Sequence, residues 1–303
     1  MEWVEIESGA LRARVAARGA ALVGLWHRDW PHSVVLGTAD PAVFLAAHPY
    51  GGAVVGPVAN RIGGARVSIA GQPYDLPANE GRTSLHSGPE GLHARTWDLR
   101  VEDAAVLARH TLPDGACGLP GRRQITARFE VADETLTVTL SAVSDRATLM
   151  NLALHPYFSL DGSGHLRDHL VRVGGAQYLR TDGAGLPTGV RAPVRDLGLG
   201  DAPAPVAPGL DHNICLEAGP AVYLEAARGP RVSVRTDAPA LQVYAGAHLP
   251  KVPGSHGAPI GPGAGIALEP QMWPDAPSHP DFPSIFLHAG KVWSQTTTYC
   301  LKM

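Results

Sequence analysis

The run Glu134-Thr135-Leu136-Thr137-Val138-Thr139-Leu140 alternates polar and apolar residues without a break. Leu and Val fall on one side and Thr on the other, the period-two signature of a half-buried antiparallel strand. Working outward, similar segments occupy Leu11 to Val15, Arg66 to Ile69, Ile125 to Val131, Ala221 to Ala226, Val232 to Thr236, Leu241 to Ala245 and Ser294 to Leu301. Most are bounded by Gly, Pro or Asp, the residues that turn a chain. With 35 Gly and 27 Pro in 303 residues, breakers come too often for long helices. No repeat of fixed period and no sustained helical pattern competes with this reading. The expectation is an all-β chain, a large antiparallel β-sandwich in which residues 1–303 form one domain. The Pro/Gly/Asp-rich stretch from Gly183 to Gly209 and the glycine cluster from Gly254 to Gly265 are expected to be long surface connections.

Composition narrows the partners. A hydrophobic share of 45% is enough to bury a core, while a formal net charge of −3 with scattered basic residues offers no footprint for nucleic acid or an anionic membrane. The opening Met1-Glu2-Trp3-Val4-Glu5 is acidic where a secretory signal is basic, and charges or breakers interrupt every apolar run before the roughly 20 residues of a membrane span. Cys117, Cys215 and Cys300 are far apart, and an odd set of three predicts free, buried thiols in a reducing cytoplasm. A neutral small molecule is the expected partner. Monomer and dimer both remain open.

The familiar catalytic signatures are missing: no GxSxG, HExxH, GxxxxGK[ST], or GxGxxG opening a helix. The 14 histidines are mostly dispersed, and the close pairs His86/His93 and His165/His169 lack the carboxylate or cysteine company of a metal site. No metal is expected. Three segments do place polar groups in apolar surroundings. His155 interrupts Asn151-Leu152-Ala153-Leu154-His155-Pro156-Tyr157-Phe158, and Pro156 holds it extended. Glu269 ends the apolar run Gly265-Ile266-Ala267-Leu268 before Pro270, where a carboxylate is costly unless paired or used. His86 sits in the loop-like Thr83-Ser84-Leu85-His86-Ser87-Gly88. Taken singly, each is equally a hydrogen-bonded core residue or a solvated strand end.

Taken together, the segments resemble the aldose 1-epimerases, or galactose mutarotases. The likeness runs through Asn60-Arg61-Ile62-Gly63, Leu76-Pro77-Ala78-Asn79, Leu85-His86-Ser87-Gly88, Gly91 and Trp97, then Asn151 to Leu160 and Leu186-Pro187-Thr188-Gly189. It continues through Leu210-Asp211-His212-Asn213, Leu241-Gln242-Val243-Tyr244, Leu268-Glu269-Pro270-Gln271 and Trp273-Pro274-Asp275-Ala276, and ends at His279-Pro280-Asp281-Phe282-Pro283-Ser284. The motifs are collinear and cover nearly the whole chain. The resemblance implies His155 as general acid, Glu269 as general base, and Arg61, His86 and Asp211 as sugar-binding groups, with Asn60 and Gln271 beside them. It also implies a supersandwich fold of the galactose mutarotase type, an open cleft and no cofactor. Ser87, Leu92, Ala153, Leu154 and Pro270 depart from the family pattern without removing a catalytic group.

Those residue types suit the reaction. Opening a cyclic hemiacetal takes a proton from the C1 hydroxyl and delivers one to the ring oxygen, so one base and one acid suffice. An unperturbed Glu ionises near pH 4.3 and a His near 6.5, so carboxylates that raise the imidazole would start the pair as base and acid. Trp273 is a candidate to pack on a sugar face, and Arg61 and Asp211 could equally form an ion pair with each other. Two rivals follow: a hexose-6-phosphate 1-epimerase, for which Arg82 is the one nearby extra cation, and a non-catalytic sugar-binding β-sandwich.

Overall fold

A computed structural model describes residues 1–255 and 258–303, so that His256 and Gly257 of the Gly254 to Gly265 connection lie outside the described residues. The alternating run becomes the strand Thr135–Ser144, with Leu136, Val138, Leu140 and Ala142 buried and the intervening threonines partly exposed. It pairs antiparallel with Arg123–Ala132 on one side and Val292–Lys302 on the other. These three lie within a nine-stranded sheet that runs from Ala204–Pro205 through His169–Val173, Val222–Ala226 and Arg231–Thr236 to them, then to Ala105–Leu112 and Asp98–Glu102. A six-stranded sheet runs Tyr157–Phe158, Ile266–Gln271, Ala240–Tyr244, Asp211–Cys215, Gln177–Thr181 and Pro187–Pro193.

One apolar core joins the two sheets. Leu140, Val234 and Tyr299 of the first belong to the same buried cluster as Leu241, Val243, Ile266 and Leu268 of the second. The Phe158 and Tyr299 rings lie 5.6 Å apart, and Gln295 Nε2 of the larger sheet donates to the Pro270 carbonyl at 3.0 Å. Each large aliphatic side chain buried this way contributes about 1.5–3 kcal/mol. The consequence for function is one of parity. Since side chains alternate along a strand, turning Leu241, Val243 and Leu268 inward turns Gln242, Tyr244, Ala267 and Glu269 outward. Pairing then aligns them: Glu269 stands opposite Gln242 and Gln242 opposite Asn213, while Ala267, Tyr244 and Asp211 form the adjacent row.

Some expectations are corrected. The Gly183 to Gly209 stretch is not one long connection but holds the strand Pro187–Pro193, a 3₁₀ turn at Val194–Leu197 and the short strand Ala204–Pro205. Pro187–Pro193 is the edge of the six-stranded sheet, where Pro and exposed residues are tolerated because one side needs no ladder bonds. Of the three free thiols only Cys117 is fully buried. The seven-residue helix Pro41–Ala47, too short for a periodic signal, is capped by Asp40, whose carboxylate accepts from Ala42 N at 2.9 Å. Among the described residues no helix is long and apolar enough to cross a membrane.

Candidate active site

The outward face of the six-stranded sheet forms the floor of a cavity of about 330 Å³. Glu269 rises from its second strand, and His155 reaches the same place from the turn after Ala153–Leu154, its backbone extended ahead of Pro156. His155 Nε2 lies 3.4 Å from Glu269 Oε1, and both side chains are almost wholly buried. Arg61, His86, Asp211 and Asn60 line the same cavity, so six of the seven residues singled out from sequence meet although they are scattered along the chain. Gln271 is the exception. It is fully buried on the same face of the strand, next to Glu269 but outside the cavity lining, and its Nε2 donates to the Glu269 carbonyl at 3.2 Å, which makes it a support for the glutamate.

The upper wall is held by local backbone strain. Asn60 (φ 63°) and His86 (φ 50°) are both left-handed, and they bond reciprocally: Asn60 N donates to His86 Nδ1 at 3.1 Å and His86 N to the Asn60 carbonyl at 3.0 Å. An N–H aimed at Nδ1 leaves the ring proton on Nε2, so His86 is a neutral donor. Ser87 (φ 66°), which departs from the family's glycine, is latched by its own hydroxyl, which accepts from Val58 N at 2.8 Å and donates to Val58 O at 3.1 Å. Arg61 grips Glu80 with both Nε and Nη2, at 2.6 and 2.9 Å, so the Arg61–Asp211 pair considered from sequence does not form. Asp211 Oδ1 instead accepts from Gln242 Nε2 at 2.7 Å, and Gln242 Oε1 accepts from Asn60 Nδ2 at 3.3 Å.

Burial dominates the electrostatics. It pushes Glu269 well above the usual carboxylate range, with Asp211 adding to the shift and Arg61 and Gln271 opposing it. It pushes His155 down to about 3, helped by His48. His86 is likewise driven far down, by burial and then by His155. The expected upward shift of the His155 imidazole is therefore reversed, because desolvation dominates and the charged neighbours that act on it are imidazoles. Both shifts favour a proton on Glu269 over one on His155. Infrared difference spectra between the parent and Glu269→Gln at neutral pH are expected to show a protonated-carboxyl carbonyl band. Its absence would mean that Glu269 is ionised.

His86, His155 and Glu269 offer three ligand atoms within 4.8 Å of one another, enough in number for a metal. The tautomer opposes it, since a metal on His86 Nε2 would force the ring proton onto Nδ1, against the Asn60 N–H. Any activity of this cavity is expected to be unchanged after exhaustive chelation, and activity lost and then restored by a divalent ion would refute that argument.

Trp273 does not face the cavity. It is partly buried and packs edge-on against Phe282 at 4.8 Å, against a second core cluster. Arg82 is exposed and absent from the cavity wall. Several lining groups were missed in the sequence: Gln242, Tyr157, Tyr244, His48 and Tyr50. Gln242 carried a signal, a lone amide between Leu241 and Val243 on an apolar strand. His48 and Tyr50 carried none, because a helix end and a loop bring them to His155, whose ring lies nearly parallel to those of Tyr157 (5.0 Å) and Tyr50 (6.4 Å).

Comparison with known proteins identifies the family. The family model described as aldose 1-epimerase matches residues 2–300. The chain is 33% identical to the galactose mutarotase of Mus musculus over 320 residues, covering 99% of this chain and 93% of that one. It is 31% identical to the aldose 1-epimerase of Escherichia coli (strain K12) over 289 residues, covering 88% and 84%. Among solved structures, an aldose epimerase homologue from C. elegans superimposes with a TM-score of 0.93 at 25% identity, covering 99% of this chain and 98% of that one. Motif order, the two-sheet architecture and full-length similarity thus agree, and the chain belongs to the aldose 1-epimerase family.

Proposed function

We propose that this protein is an aldose 1-epimerase that interconverts the α and β anomers of a free sugar, with Glu269 and His155 as its proton-transfer pair. The observation that carries this reading is a Glu and a His 3.4 Å apart, desolvated at the floor of a sugar-sized cavity. The C1 hydroxyl and the ring oxygen are bonded to the same carbon, so their acid and base must stand side by side rather than on opposed walls. Glu269 as carboxylate takes the hydroxyl proton, imidazolium His155 protonates the ring oxygen, and the bond from C1 to the ring oxygen breaks to give the aldehyde. Rotation about C1–C2 presents the other face, and the two groups reverse their roles as the ring recloses. Opening leaves Glu269 protonated and His155 neutral, the same charge state that burial favours. The site therefore favours the protonation state in which the ring is open. His86 Nε2–H, Arg61 and Asp211 supply donors and an acceptor for the remaining oxygens.

A phosphorylated sugar fits less well. Arg61 is already committed to Glu80, and Asp211 and Glu269 add acidic groups to the same wall. A purely sugar-binding role leaves the buried Glu–His pair without a use, although it is costly to keep. We also propose that the chain acts as one domain in a reducing, cytoplasmic setting, which its three free cysteines fit. Polarimetry on freshly dissolved pure anomers of glucose and galactose tests the function. Relaxation no faster than the buffer's own would overturn it.

A further inference from the structure

His155 lacks the support that ordinarily aims an imidazole in proton transfer, a hydrogen bond to the ring nitrogen that does no chemistry. Its Nδ1 is buried and bonds no other residue among those described; only its own backbone carbonyl bears on the ring. The aim is still demanding, since Nε2 stands 3.4 Å from Glu269 Oε1 and a turn about the Cβ–Cγ bond would carry it away. What surrounds the ring is aromatic. Tyr157 and Tyr50 lie nearly parallel to it, tilted by 28° and 16°, and His86 and His48 meet it edge-on at 5.4 and 6.3 Å. Rings packed this closely leave the imidazole little room to rotate, provided that they are themselves held. Tyr157, the nearer of the two parallel rings, is buried, and its hydroxyl shares a hydrogen bond of 2.9 Å with His48 Nε2. His48 is fixed in turn. It caps the C-terminus of the helix Pro41–Ala47, where its backbone N–H donates to the Phe44 carbonyl at 2.7 Å, and Phe44 packs in the same small core cluster as Tyr157. Burial lowers the His48 pKa to about 4, so at neutral pH it is an uncharged partner for the phenol.

We propose that His48 is a positioning residue: by holding the Tyr157 hydroxyl it fixes the phenol ring against His155 and keeps His155 Nε2 aimed at the reacting atoms. The inference rests on the mutarotase reading above, and the experiment separates the two. kcat and KM for mutarotation of glucose and galactose would be measured for the full chain and for His48→Leu, Tyr157→Phe, the double variant and His48→Gln. Each of the first two is expected to lower kcat by about five- to twentyfold and to leave KM within about twofold, because the sugar keeps its own contacts while the acid is misaimed. The double variant should be no more than about twofold slower than the poorer single one, since both changes remove the same bond. Glutamine can place its amide near the position of the imidazole Nε2, so His48→Gln should recover kcat to within about threefold of the parent. If His48→Leu does not fold, Tyr157→Phe, which keeps the ring and loses only the hydroxyl oxygen, is set against His48→Gln and carries the same comparison. Parental kcat in Tyr157→Phe, a loss confined to KM, losses that multiply in the double variant, or a glutamine variant as slow as the variant lacking the bond overturns the positioning role alone. No acceleration by the parent on either sugar overturns the mutarotase reading and this role with it.

Discussion

Glu269→Gln and His155→Asn are each expected to lower kcat for mutarotation by about 10²- to 10⁴-fold while leaving a folded protein that still binds sugar. Glutamine keeps the size of the side chain but cannot take the C1 hydroxyl proton, and asparagine cannot deliver one to the ring oxygen. The pair shares one proton, so the double variant should be little worse than either single one. The same glutamate makes a second, opposite forecast for stability. Burial raises its pKa, so in the folded protein it holds a proton that the unfolded chain releases once the pH passes the ordinary carboxylate value of about 4.3. Parent stability contributed by this group is thus present at low pH and lost as pH rises, and Gln has no proton to lose. Glu269→Gln should melt on the order of a few degrees higher than the parent at neutral pH, with the gap shrinking as the buffer is acidified. An inactive variant that melts lower at every pH would mean that the carboxylate is ionised in the folded state. Retention of near-parental rates by either single variant would remove the pair from the mechanism.

What the sequence made legible follows from the range of each physical signal. Alternation is a local property, and it located Leu11–Ala16, Arg66–Ile69, Arg231–Thr236 and Ala240–Tyr244 to within one residue. Thr135–Ser144 runs four residues past the alternating stretch, and Ala21–His27 and Ala105–Leu112 went unread. The same parity explains why Glu269 and Gln242 point away from the core: their neighbours Leu268, Leu241 and Val243 are apolar and turn inward. The edge strand Pro187–Pro193 was hidden because edge strands share the Pro, Gly and polar composition of loops. The convergence of Asn60, His86, His155 and Glu269 had no local signature and entered only through family resemblance. Their meeting depends on cross-strand register and on reciprocal bonds between distant loops. The direction of the His155 shift was unreadable for a related reason. A pKa reflects how completely water is excluded, and that is a property of the assembled cavity rather than of the residues beside His155 in the chain.

Arg61→Met is expected to reduce kcat/KM by about 10- to 100-fold, from two separable causes. Its guanidinium is the one cation in the cavity wall that stays charged at every working pH, and it donates from a fixed fork held by Glu80 at 2.6 and 2.9 Å. Losing it removes charge-assisted contacts to sugar hydroxyls, which raises KM, and leaves Glu80 without its counter-ion. It also removes a positive charge that favours the Glu269 carboxylate. Glu269 should then bind its proton still more tightly, so fewer molecules hold the base in its working form and kcat falls as well. The sign of that second effect fixes its pH dependence: the kcat deficit should narrow as the pH is raised, while the KM deficit should not. Arg61→Lys keeps a charge but not the two-pronged geometry, so it should recover kcat more fully than KM. Glu80→Gln leaves the cation in place and is expected to cost less than Arg61→Met in both constants. An Arg61→Met enzyme with parental KM and a superimposable pH profile would remove the arginine from both roles and leave it as the surface partner of Glu80.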